Sequence, residues 1–148
     1  MSTVTTATIR LSNDLSELER LSHFLRGLSG SMGMDDQVVF QINLVCDELV
    51  TNIILYGYPS EERGRHTIEL VVAADAHGWE LRLSDRGVPF NPLLRASPRI
   101  DLEVEDRGIG GLGIHFVRQV MDDLRYERRH DENVLMMRKV RGSEEGAS

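Results

Sequence analysis

One cysteine in 148 residues, Cys46, excludes an intramolecular disulfide and a cysteine-built zinc site. The opening Met1-Ser-Thr-Val-Thr-Thr6 lacks the basic start and apolar run of a secretory signal. No stretch approaches the ~20 consecutive apolar residues of a bilayer span, which argues against a membrane protein. Positive charge is also scarce: 17 Lys and Arg stand against 24 Asp and Glu, for a net charge of -7. With the basic residues dispersed, there is no electrostatic footprint for direct nucleic-acid or membrane-surface binding. A cytoplasmic protein with protein or small-molecule partners is expected. A polyanionic nucleotide stays compatible with this charge, because backbone N–H groups, a divalent cation and a few arginines set the local field.

Hydrophobic residues make up 41% of the chain, enough for one continuous core, and no internal repeat interrupts it. One domain over residues 1–141 is expected, with a disordered tail over 142–148. Ala7, Ile9 and Leu11 alternate with Thr6, Thr8 and Arg10, the period of a strand with one buried face. Asp14 and Glu17 then read as a capping box before Leu15, Leu18, Leu21, Leu25 and Leu28, which recur at helical spacing. A second helix capped by Asp35 or Asp36 carries the stripe Val38, Ile42, Val45, Leu49 and Ile53, and ends at Gly57 and Pro59.

Two alternating segments around Ile68-Leu70-Val72 and Trp79-Leu81-Leu83 predict an antiparallel hairpin. Residues 86–109 hold three prolines, many charges and little periodicity, the marks of a functional lid. Ile114, Val117, Val120 and Met121 mark a third helix, and Leu124 through Val140 a closing hairpin that turns across Arg129 to Asn133. The order β-α-α-β-β-lid-α-β-β, with polar residues at alternate strand positions, predicts an α+β fold. Its two layers are a mixed, mostly antiparallel sheet and three helices on one face.

Three short segments carry the candidate chemistry. Glu48 and Asn52, four residues apart, project from one side of the second helix, where a carboxylate base and an amide ligand for Mg²⁺ can work together. Asp85 ends a strand and can accept a hydrogen bond from an exocyclic amine of a purine, while Gly87 lets backbone approach the ring. Gly108, Gly110, Gly111 and Gly113 lead into the third helix, whose free N–H groups suit phosphate oxygens. Taken singly, these features equally fit a solvated helix face, an Asp-x-Gly turn and a flexible hinge. In combination and in this order they supply the parts of a magnesium-nucleotide site. Arg95, Arg99 and Arg107 in the lid could reach phosphate, whereas His115 and His130 read as structural or exposed. The glycine spacing matches neither the P-loop nor the Rossmann fingerprint.

Glu48-Leu-Val-Thr-Asn52, Asp85-Arg-Gly-Val-Pro-Phe90 and Gly110-Gly-Leu-Gly-Ile-His-Phe-Val117 resemble the N box and the two glycine boxes of the GHKL ATPase superfamily. That superfamily includes gyrase, histidine kinases and heat-shock chaperones, and the resemblance covers about residues 5–140. The short domain and the Asp-Arg-Gly-x-Pro-Phe variant are most similar to anti-sigma factor serine/threonine kinases of bacterial partner switching. The resemblance implies a Bergerat ATP-binding fold with ATP and Mg²⁺ as cofactors. It implies Glu48 as catalytic base, Asn52 as metal ligand, Asp85 as adenine contact, and Gly87, Gly110, Gly111, Leu112 and Gly113 lining the nucleotide. Pro89 stands where the family has glycine, so no phosphate role is carried onto it. The implied partners are a STAS-domain anti-anti-sigma protein, a sigma factor and a second copy in a homodimer. The competing reading is a nucleotide-gated binding module of the same fold that transfers no phosphate. A detached histidine-kinase catalytic domain is less favoured.

Overall fold

The computed structural model describes residues 3–94 and 113–142. β1 (Thr5–Ser12) leads through a short 3-10 turn to α1 (Leu18–Gly27) and α2 (Asp36–Tyr56). β2 (Thr67–Asp75) and β3 (Gly78–Asp85) follow, then α3, whose described residues are 113–120, and finally β4 (Asp123–Arg129) and β5 (Glu132–Val140). The element order matches the sequence expectation. The sheet runs β1-β2-β3-β5-β4, and each described pair is antiparallel, so the expectation of a mixed sheet narrows to its antiparallel part.

Alternation decides which face is covered. Ile9 and Leu11 of β1, Ile68, Leu70 and Val72 of β2, and Trp79, Leu81 and Leu83 of β3 are buried, while Thr6, Thr8, Arg10, Glu80 and Arg82 face out. The buried set joins Leu21 and Leu25 of α1, Ile42, Val45 and Leu49 of α2, and Ile114 and Val117 of α3 in one core cluster. Each fully buried Leu or Ile contributes about 1.5–3 kcal/mol, and truncating one to Ala costs about 2–5 kcal/mol. The helices therefore share one face of the sheet.

Local signals set the helix ends. Asp35 caps α2 by accepting from the Val38 N–H at 2.8 Å, and Gly57 closes it by donating to the Ile53 carbonyl at 2.8 Å. Asp14 and Glu17 act less regularly than a capping box: Asp14 accepts from Ser16 N–H, while Glu17 reaches back to Ser12 N–H at 2.8 Å. The intervening residues form the 3-10 turn Leu15–Glu17, which leaves Leu15 exposed rather than in the stripe. By length and composition α2 could cross a membrane. Its run is broken by Gln41, Asn43, Asp47, Glu48 and Asn52, and eight of its residues are buried within the domain, so here it is the central core helix.

Candidate functional site

The inward positions of β3 read Trp79, Leu81, Leu83 and then Asp85, so the strand's alternation carries a carboxylate onto the core-facing side at the sheet's end. Asp85 is 5% exposed and lies between Ile68 of β2 and Asn133 of β5. Its Oδ2 accepts from the Tyr58 hydroxyl and the Gly87 N–H, both at 2.8 Å. Asn133 Nδ2 approaches both carboxylate oxygens, at 3.5 Å from Oδ1 and 3.4 Å from Oδ2. Those donors are what allow a carboxylate to sit at a buried position.

Asn133 is also the bolt of the following loop. Its Nδ2 donates to the Val88 carbonyl at 2.9 Å, and its Oδ1 accepts from the Phe90 N–H at 3.0 Å and from the Tyr126 hydroxyl. Arg128 on β4 donates to the Gly87 carbonyl at 2.7 Å. Gly87 has no space for a side chain: a Cβ would lie 2.9 Å from Asp85 Oδ2 and from Tyr58 Cζ, and 3.0 Å from the Gly57 carbonyl. The glycine is required by close approach at this point.

α2 brings the second set of groups to the same end of the domain. Asn52 is 3% exposed, and its Nδ2 donates to the Pro92 carbonyl at 3.2 Å, a bond that does not use the acceptor Oδ1. Pro92 and Leu93 are buried in a short turn, Pro92–Leu94. Residues 86–94, the first part of the segment expected to be a lid, are thus pinned to Asn52, Asn133, Tyr126 and Arg128. One turn before Asn52, the half-buried Glu48 lies against the start of α3, where a Cβ on Gly113 would run into its carboxylate. The first and last of the three sequence segments therefore meet at Glu48 and Gly113.

Gly110, Gly111 and Leu112 lie outside the described residues, as do Arg95, Arg99 and Arg107. His115 and His130 are exposed, the latter in the turn between β4 and β5 with a φ of 57°. Sequence reasoning missed Tyr58, Tyr126, Arg128 and Asn133. Asn133 was expected in a turn spanning Arg129 to Asn133, but the turn is only His130 and Asp131, which moves Asn133 into β5. The available signal was the alternation Asn133, Leu135, Met137, which continues the inward face.

The family model of the histidine kinase-like ATPase domain matches residues 11–139. The chain belongs to that family. Within it, the chain is 27% identical over 127 residues to the serine-protein kinase RsbW of Listeria monocytogenes, covering 83% of this chain and 78% of that protein. It is 26% identical over 98 residues to the serine/threonine-protein kinase BtrW of Bordetella bronchiseptica, covering 66% of this chain and 68% of that one. Among solved structures, the RsbU and RsbW domains of Rv1364c from Mycobacterium tuberculosis share its fold, with a TM-score of 0.60 at 14% identity. That match spans 92% of this chain and 32% of the larger one.

The residues present fit an adenine nucleotide carried with a divalent cation. Among the described residues Asp85 Oδ1 keeps acceptor capacity, and Asn52 offers a hard amide oxygen. Among the described residues, no cluster of three or more His, Cys, Asp or Glu could cage a metal. A hard cation bound here would take most of its ligands from phosphate and water.

Proposed function

We propose that this histidine kinase-like ATPase domain is an ATP-dependent protein-serine/threonine kinase of a bacterial partner-switching system. It acts as an anti-sigma factor and phosphorylates a STAS-domain anti-anti-sigma protein. The reading is supported chiefly by one observation: Glu48 lies against Gly113 while Asn52 stands one turn further along the same helix. A carboxylate therefore meets Gly113 of α3 with an amide side chain one turn further along α2, and the named relatives are protein kinases.

In this account Asp85 accepts the exocyclic amine of adenine, and Gly87 gives the base close access to backbone. Gly110, Gly111, Leu112 and Gly113 line the phosphates. Mg²⁺ would be held by Asn52 Oδ1 and phosphate oxygens, and would supply charge neutralisation at the transferring group. Glu48 accepts the proton from the acceptor hydroxyl as its oxygen bonds to the γ-phosphorus and the bond from that phosphorus to the ADP oxygen breaks. Most of the rate enhancement comes from placing that hydroxyl in line.

Phosphorylation adds about -1.5 to -2 charges to the acceptor. Repulsion from a kinase of net charge -7 would favour release of the product and leave the kinase to capture a sigma factor. A homodimer in the cytoplasm completes the proposal.

Incubation with Mg-ATP and a candidate STAS-domain protein, followed by intact mass measurement, tests it. The wild type should add one phosphoryl group, and Glu48→Gln should bind ATP but transfer about 10²–10⁴-fold more slowly. ATP binding by the wild type without transfer to any candidate would instead favour a nucleotide-gated binding module. Undiminished transfer by Glu48→Gln would remove Glu48 as base.

A further inference from the structure

Tyr58 lies two residues beyond α2 and is only 7% exposed. Its ring stacks on His66 with centroids 4.5 Å apart and planes 20° from parallel. His66 is itself held, its backbone N–H donating to Asn13 Oδ1 at 2.9 Å and its Nε2 sitting 2.7 Å from Glu62. The phenol is thus fixed in place before it meets Asp85. Burial, and then the neighbouring Asp85 carboxylate, push its pKa above the ordinary tyrosine value, so the hydroxyl remains a proton donor at physiological pH.

The two oxygens of Asp85 are treated differently. Oδ2 is committed to two donors at 2.8 Å, the Tyr58 hydroxyl and the Gly87 N–H. Among the described residues, Oδ1 has a single long contact, Asn133 Nδ2 at 3.5 Å. An ionised carboxylate accepts only, so an oxygen left with capacity welcomes a ligand N–H and repels a ligand carbonyl. A carboxylate free to rotate about its terminal bond would blur that distinction.

We infer that Tyr58 is a positioning residue for nucleobase specificity: by holding Oδ2, its hydroxyl presents Oδ1 of Asp85 to a purine carrying a 6-amino group and against one carrying a 6-oxo group. The inference rests on the nucleotide reading above and adds to it the residue that sets base selection. Tyr58 acts through Asp85 and need not touch the ligand.

The test is Tyr58→Phe, which keeps the ring, its volume and the stack on His66, with thermal melting to confirm folding. Binding of Mg²⁺ complexes of ATP, of the analogue lacking the 6-amino group, and of the 6-oxo analogue ITP is measured by calorimetric titration for both proteins. Wild type should prefer ATP over both analogues. In the variant ATP should weaken about tenfold, the loss of one charge-assisted hydrogen bond, while the deaminated analogue changes less than about twofold. The preference for ATP over ITP should shrink in step. Such non-additivity is the signature of coupling between Tyr58 and the amine.

Equal weakening of all three nucleotides, the pattern of a merely structural residue, would overturn the inference, and so would no change in any. A wild type that binds none of the three would defeat the nucleotide reading itself and this inference with it. Tight wild-type binding with equal losses would defeat the role of Tyr58 alone.

Discussion

Asp85 and Asn133 face each other across the β3–β5 pair, with both side chains on the helix-covered side where the same strands otherwise place Leu81, Leu83, Leu135 and Met137. Two polar residues at core positions are costly unless their hydrogen-bonding groups are met. Here Tyr58, Gly87, Val88, Phe90 and Tyr126 supply the partners. The sheet's own pairing thus delivers a carboxylate and its supports to one end of the domain.

Replacing the Asp85 carboxylate by an amide of the same shape puts donors where acceptors are required. Asp85→Asn should leave a folded domain with a melting temperature lowered by several degrees, since its amide oxygen can still accept from the Tyr58 hydroxyl and the Gly87 N–H but without the charge, and its amide nitrogen is set against the Asn133 Nδ2 donor. Mg-ATP affinity, read by titration calorimetry, should fall at least tenfold, as expected for a charge-assisted contact. Unchanged affinity would show that the base is read elsewhere.

Much of this architecture is legible in the chain. The alternation Trp79-Leu81-Leu83 predicts both the strand and the face, and one more step along it reaches Asp85. Glu48 and Asn52 are legible as a pair because helical spacing aims them together. Tyr58 and Asn133 were not, because each gains its role from Asp85, 27 and 48 residues away in sequence, and no local periodicity encodes such a contact. The short turn at His130 had a similar effect: its positive φ, unusual for a residue with a side chain, lets β4 and β5 pair up to Arg129 and Glu132. A longer turn was the natural reading from residue types alone.

Gly113 offers a test of the junction between α2 and α3. A methyl group there would push into the Glu48 carboxylate, which can move because it ends a flexible side chain. Gly113→Ala should therefore fold with a melting temperature within a few degrees of wild type. Its phosphotransfer rate to a STAS-domain acceptor should drop at least tenfold, because a displaced base or helix start spoils in-line geometry. A variant that transfers at the wild-type rate would separate Glu48 from the reaction.

Cys46 gives a prediction about pH. It is completely buried, and desolvation, helped by nearby Asp47, pushes its thiol from an ordinary 9.0 up to about 12. The folded protein therefore keeps this proton in a range where the unfolded chain releases it. The contribution to stability is fully present below pH 9 and is lost as pH rises through about 12. Urea titrations between these values should show stability falling with pH, and Cys46→Ala should flatten that slope. Native protein at neutral pH should also resist thiol reagents until it is unfolded.

The proposed nucleotide site is built by α2, the end of β3 and Gly113 of α3. A crystal structure with Mg²⁺ and a non-hydrolysable ATP analogue tests it most directly. The adenine amine should lie within hydrogen-bonding distance of Asp85 Oδ1, Asn52 Oδ1 should lie on the metal, and the triphosphate should lie beside Gly113. Nucleotide bound at another place, or Asp85 Oδ1 and Asn52 Oδ1 both without contact to it or its metal, would rule this site out.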